Sequence, residues 1–307
     1  MSQKKINIVF NPAAAGGRAG ENKNKILSEL TNHLGSSYEF SETHSNTDAT
    51  GITAQAISSG SNVIIAVGGD GTINQVINGI LQTGSNNNNQ VRLGVISFGT
   101  GQGFAQSIGL PGDFAAQIKI IKNDVSKLID IGKITFEKDQ PIKYFLNELQ
   151  FGIGGTLCKN ISPNTKRMLG RFAFGFEAVK NLVRYEAEEI ELTTDKGSVK
   201  EKAIGVVIAN GSYTGGGMRL TPNALIDDGL FDVLVIEEMP LLKRLNGFSK
   251  IYSGRHIGMP AFKLFKAKKI KFGYSNSLCA EADGELVFNK CISAEVIPSA
   301  LRVISNN

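Results

Sequence analysis

Two stretches of this 307-residue chain share one plan, an apolar strand, a glycine-rich loop and a helix, and that plan restricts the fold more than any other feature. They are VIIAVGGDGTINQVING (63–79) and LGVISFGTGQGFAQSIGLP (93–111). A strand apolar on both faces must be covered on both, which calls for a parallel sheet between helices. The flanking sequence keeps the rhythm: Lys5–Phe10 reads as a strand, then the loop NPAAAGGRAG and a helix over 21–34, then a strand at Tyr38–Thr43 and a helix over 47–59. After about Ser126 the pattern changes to strands without regular helices between them: Leu128–Phe136, Tyr144–Phe151, Glu189–Thr194, Ala203–Asn210, Leu230–Glu237, Phe262–Phe272, Leu278–Glu281 and Cys291–Pro298. Helical patterns interrupt only over 171–185 and 241–252. The expected fold is α/β, with an N-terminal Rossmann-like parallel-sheet domain over 1–127, to which 299–307 returns, and a C-terminal antiparallel β-sandwich domain over 128–298.

Glycines after a strand let backbone amides approach a phosphate, and the following helix N-terminus adds partial positive charge. Thr72 and Thr100 can cap or bond phosphate oxygens. Asp70 is the informative residue. A carboxylate beside a phosphate loop is repelled unless a metal or hydroxyl offsets it, so its presence points to Mg²⁺–nucleotide chemistry. Neither loop is a Walker A, and neither spells GxGxxG with a downstream ribose acid. One such loop is equally a tight turn; two on successive strands, at the carboxyl edge where α/β proteins bind ligands, favour a nucleotide.

Composition agrees and excludes alternatives. The chain has 35 glycines, a surplus of about 14 over the usual ~7% share. Clusters at 16–17, 68–71, 99–103, 154–155 and 215–217 hold most of it, and Gly154 and Gly155 alone lack a phosphate-related role. A 41% hydrophobic and 20% charged content fits a globular chain, and no apolar run approaches the ~18 residues of a membrane span. MSQKKINIVFNP reads as a strand rather than a signal peptide. Three cysteines without a CxxC fit reduced cytosolic thiols, with Cys158 placed in an apolar strand as core. Of the 33 Lys and Arg, nine lie between Pro240 and Gly273, where there is no acid, so one segment accounts for the net charge of +5. Such a run serves either an anionic lipid surface or a solvated lysine-blunted edge strand. No stacking-aromatic motif accompanies it, which argues against nucleic acid.

NPxxxGG at the start, GGDGTINQVING, FGTGQGFAQSIGLP, YTGGGMRLTPNALIDDGLFDV (213–233) and ADGE (282–285) together resemble the diacylglycerol kinase catalytic-domain family, in particular its soluble bacterial lipid kinases. The resemblance runs nearly end to end. It implies an ATP- and Mg²⁺-dependent lipid kinase acting on diacylglycerol or a related lipid, cytoplasmic and peripheral at the inner membrane surface; a homodimer stays open. It implies an ATP site at Asn11, Thr43, Gly68, Gly69, Asp70, Gly71, Thr72, Asn74, Gly99 and Thr100, with Asp70 acting through Mg²⁺. ALIDDGL resembles a metal loop with main-chain oxygens of Leu225 and Leu230 and the Asp228 carboxylate; an Asp-Gly hairpin turn would read the same. ADGE resembles the catalytic segment, with Glu285, then Asp283, as candidate base, and strand alternation would put both on one face. Arg18 and Lys166 match basic positions that contact phosphate or headgroup.

The second loop departs from the family's GTxND: Gln102-Gly103 replace Asn-Asp. A non-catalytic nucleotide- or lipid-binding protein, or a kinase of a non-lipid alcohol, are the competing readings. Gly211-Ser-Tyr-Thr-Gly215 is not GxSxG, so a serine hydrolase is excluded. Phe172, Phe174 and Phe176 read as helix core or as an acyl-lining face.

Overall fold

The computed structural model describes residues 4–44, 48–83, 91–98, 101–137, 140–160, 179–274, 278–288 and 290–306. The chain divides into two compact units, Met1–Asp130 with Ser299–Asn307, and Ile131–Pro298.

The first unit is a parallel sheet. β1 (Ile6–Phe10) leads through a left-handed bend at Ala15–Gly17 to the short α1 (Arg18–Glu21) and to α2 (Lys23–Leu34). Next come β2 (Tyr38–Glu42), α3 (Ala49–Ser58), β3 (Val63–Gly68), α4 (Asp70–Gln82), β4 (Arg92–Ser97), α5 (Gly103–Ser107) and α6 (Phe114–Asn123). β1 sits between β2 and β3, and β4 lies beyond β3. The chain's last residues add a parallel strand beside β4, pairing Arg302 with Arg92 and Val303 with Leu93. Every residue of β1 and β3 is buried, as central strands require. Each such Val or Ile contributes about 1.5–3 kcal/mol. Asp48 and Asp113 cap α3 and α6, accepting from the Gly51 and Ala116 amides at 2.8 and 2.9 Å.

The second unit is antiparallel. β5 (Ser126–Phe136) enters it and pairs with β6 (Lys143–Phe145); β7 (Glu148–Gly152) leads into α7 (Ile153–Asn160). β8 (Glu188–Thr194) and the long β9 (Gly197–Ala209) form a hairpin, and the second half of β9 lies between β7 and β10 (Phe231–Glu237). Then follow α8 (Leu241–Ile251), β11 (Phe262–Ala267), β12 (Lys269–Tyr274), β13 (Ala280–Ala282), β14 (Glu285–Val287) and β15 (Cys291–Ile304). One apolar core runs from Ile134 and Phe145 through Val206, Ile208 and Val233 to Ala294 and Val296. A second covers the other face of β9 and β10 with Leu234, Met218, Ile251 and Phe262.

Several sequence expectations change here. Tyr144–Phe151 is two strands, broken at Leu146–Asn147, and Phe262–Phe272 is two, broken at Lys268. Cys291–Pro298 and the returning tail are one strand, β15, whose residues after Pro298 belong to the first unit. Cys158 lies in α7, not in a strand, because Gly154 and Gly155 let this helix pack tightly: an added Cβ at Gly155 would overlap the Cys279 carbonyl. That gives the two glycines the role they lacked. The helix expected over 171–185 is described only at 179–184, and Phe172, Phe174 and Phe176 lie outside the described residues.

Candidate active site

Parallel topology brings the loops after β1, β2, β3 and β4 to one sheet edge. The ladder continues into them: Asn11 N–H donates to Val67 O at 2.9 Å, Thr43 N–H to Phe10 O at 2.9 Å and Phe98 N–H to Gly68 O at 2.7 Å. Asn11 Nδ2 donates to Thr72 Oγ1 at 2.8 Å, while its Oδ1 accepts from the Ala13 amide at 3.0 Å. Asn11 thus ties the first loop to the first turn of α4. Thr72 folds back over Gly68, where an added Cβ would stand 2.6 Å from the threonine Cβ. Gly68→Ala should therefore cost about 1–3 kcal/mol of stability and break the Asn11–Thr72 bond, read as a lower Tm.

Neither α4 nor α5 has a side-chain cap from its own N-cap residue. For α5 the cap comes from Asp70, whose oxygens accept from the Gly103 and Phe104 amides at 3.2 and 3.3 Å. Burial pushes the Asp70 carboxyl above its ordinary range, and these two amides partly oppose that. The carboxyl beside the phosphate loop thus caps a helix N-terminus, whose partial positive charge favours it there. Gly103, where the resemblance led to expect an acid, presents its amide to Asp70 instead. Gln102 makes this turn with φ +47°.

Other members of the expected nucleotide set are placed less directly. Gly69 caps α4 through backbone geometry and Gly71 lies in its first turn. Asn74 is buried in α4 and bonded to Asn78. Arg18 donates to Ala15 O at 3.2 Å and lines a cavity of about 220 Å³ with Asn22, Phe98, Gln102 and Asp113. Gly99, Thr100 and Lys166 lie outside the described residues.

In the second unit ADGE is a hairpin turn. Asp283 and Gly284 have φ of +50° and +82° between β13 and β14, the two positive φ of a type I′ turn. Asp283 and Glu285 therefore do not alternate along one strand. Asp283 turns inward, 7% exposed, and accepts from the Leu146, Asn147 and Glu148 amides at 2.7, 2.8 and 3.1 Å. These amides come from the break between β6 and β7. A carboxylate so occupied is an anchor, not a base. Glu285, its side chain 37% exposed, keeps its oxygens accessible, with Lys143 Nζ 3.5 Å away. The turn is further held by Glu281, which accepts from the Gly284 amide at 2.7 Å, and by the Cys158 thiol, which donates to Gly284 O at 3.2 Å.

The Asp228 loop offers hard oxygen donors. Asp228 Oδ1 accepts from the Leu230 amide at 3.1 Å, and Leu225 is 56% exposed. Lys266 already meets this carboxylate: its Nζ lies 2.8 Å from both Asp228 Oδ2 and Asp232 Oδ2. Burial alone would lower the Lys266 ammonium, but its bonds to the two aspartates hold it above its ordinary value. Among the described residues no three His, Cys, Asp or Glu converge on a metal position, so a cation here depends on main-chain oxygens beside Asp228. Mg²⁺ accepts one or two carboxylates and completes its shell with other oxygens, so it would fit here once the Lys266 ammonium gives up Asp228 Oδ2. Lys266 is one of several members of the basic run already engaged: Lys263 pairs with Glu201 and Glu237, Lys269 with Glu295, and Arg244 donates to the carbonyls of Met239, Leu182 and Tyr185.

A parallel α/β unit with glycine loops gathered at its carboxyl edge, joined to an antiparallel unit carrying an acid-bearing turn, defines a two-domain class of phosphate-handling folds. Residues 5–134 match the diacylglycerol kinase catalytic domain, and residues 150–305 match the YegS C-terminal NAD kinase beta sandwich-like domain. The chain belongs to this diacylglycerol kinase family. It is 28% identical over 286 residues to the diacylglycerol kinase of Bacillus subtilis, covering 92% of this chain and 90% of that protein. A YegS-like lipid kinase of Chromohalobacter salexigens is 24% identical, covering 83% and 79%. In fold it is similar to the crystal structure of a diacylglycerol kinase from Bacillus anthracis, with a TM-score of 0.74 at 22% identity over 100% and 98% of the two chains. No helix among the described residues is long and apolar enough to cross a membrane.

Proposed function

We propose that this chain transfers the terminal phosphoryl group of ATP to a hydroxyl of diacylglycerol or a related membrane lipid, giving phosphatidic acid or a similar phospholipid. Family membership supports the reading, and one observation carries it: Asp70 joins two strand–glycine loop–helix junctions at one sheet edge, the geometry that receives phosphates. Asn11, Thr43, Gly68, Gly69, Gly71, Thr72 and Asn74, with Gly99 and Thr100, shape the ATP site; backbone amides and the α4 N-terminus bind the phosphates. Mg²⁺ supplies charge neutralisation when bound. Asp70 serves it beside the nucleotide, and Asp228 with the Leu225 and Leu230 carbonyls would hold it in the second unit. Glu285 takes the proton as the acceptor oxygen bonds to the γ-phosphorus; the bridging P–O bond breaks and ADP leaves with its electron pair. Arg18 and Lys166 contact phosphate or headgroup. The enzyme works in the cytoplasm, at the anionic inner membrane surface.

The test is a lipid panel: purified full-length protein, labelled ATP, Mg²⁺ and mixed micelles of several lipids. Labelled phosphatidic acid from diacylglycerol is expected, and chelation of the metal should abolish it. Nucleotide binding with no phospholipid from any lipid would overturn the assignment, and turnover without lipid would move it to a soluble alcohol.

A further inference from the structure

Three buried carboxylates meet beneath the Glu285 turn: Glu148 at 5%, Glu281 at 3% and Asp283 at 7% exposure. Asp283 has three amides and Glu281 has the Gly284 amide. Glu148 differs. Its Oε2 meets the Thr214 hydroxyl, and Gln150 is its other side-chain partner. The titratable groups acting on it are Glu281 from β13 and Asp283 from the turn, both acids. Burial first, then Glu281, pushes its carboxyl well above its ordinary value, while the bonds from Thr214 and Gln150 oppose that.

Glu148 also stands at a junction. Its backbone carbonyl accepts from the Asp283 amide at 3.1 Å, and its own amide donates to Asp283 Oδ1. Thr214 opens the loop carrying Gly215–Gly217, closed by Thr214 N–H to Met218 O at 2.8 Å and Gly217 N–H to Thr214 O at 3.1 Å. One side chain therefore bonds the glycine loop to the strand that anchors the catalytic turn.

We infer that Glu148 is a positioning residue: its buried side chain clasps the Thr214–Met218 loop to β7 and so fixes the turn that presents Glu285. Removing the side chain would take this bond from the Thr214 hydroxyl and untie the loop from β7. The inference rests on Glu285 as the base, so the test has an arm independent of turnover.

Hydrogen exchange of the full-length protein reads the clasp directly. Glu148→Ala should speed exchange over 213–218, while Glu148→Gln, which keeps the shape and stays neutral, should restore protection. In the lipid assay Glu148→Ala should lower kcat about 10²-fold with KM for ATP little changed, and Glu148→Gln should rescue kcat. Thermal stability gives a further sign. A carboxyl raised in the folded state contributes stability that is fully present below its unfolded value and lost as pH rises, so Glu148→Gln should gain on wild type with increasing pH. Unchanged exchange in Glu148→Ala, or a glutamine variant as impaired as the alanine one, would overturn the inference. Absence of lipid kinase activity in the wild type would instead overturn the assignment of Glu285, with the exchange arm still reading the clasp.

Discussion

Glu285→Gln should lower lipid phosphorylation by about 10²–10⁴-fold, the usual contribution of a positioned general base, with a thermal midpoint close to wild type. The side chain is partly exposed and its ion pair with the half-buried Lys143 is long, at 3.5 Å, so little folding energy depends on it. Asp283→Ala should behave in the opposite way. It strands the amides of Leu146, Asn147 and Glu148 at about 1–3 kcal/mol for each buried unpaired donor, so the main loss is of stability, visible as a large drop in Tm. Measuring rate and melting on the same preparations separates the roles. A Glu285→Gln protein of undiminished rate would return the base to another group.

The second large effect is at Asp70. Asp70→Ala should reduce transfer below about one thousandth of wild type, since the phosphate site loses the carboxylate that joins its two loops and the means of aligning the second. It should also cost about 1 kcal/mol through the lost cap on α5. Asp70→Asn makes the point more sharply: its amide group can satisfy only one of the Gly103 and Phe104 donors, so nucleotide affinity should fall even where the fold is intact. Binding of ATP by calorimetry, beside the rate, reads this; a wild-type rate in Asp70→Ala would remove it from the site.

The first unit was largely legible because its signals are local. Doubly buried strands such as Val63–Val67, and glycine clusters before helices, are each contained in one stretch of sequence. The carboxylates were less so. Asp70 could be singled out as an acid among phosphate-loop glycines, but its partners Gly103 and Phe104 come from the next loop, which no local pattern supplies. ADGE misled in a specific way: alternation assumes extended backbone, and Asp283 sits at positive φ, where the strand reverses. Glu148 leaves a faint signal, a single acid in FLNELQFG among Phe and Leu and the amides Asn147 and Gln150, and a charge at such a position asks for a buried partner. The partner, Thr214, lies in a different motif, so nothing in spacing joined them. Cys158 was misplaced for want of knowing that Gly154 and Gly155 start a helix.

β15 sets an order on folding. Its final residues complete the parallel sheet beside β4, so the sheet of β1–β4 lacks a strand until Arg302 and Val303 have paired with it. Until then the β4 edge is open, with backbone groups available to any other strand. Completion of the N-terminal sheet therefore waits on β15, the strand farthest from it in sequence, and its pairing with β4 is the event that seals the edge.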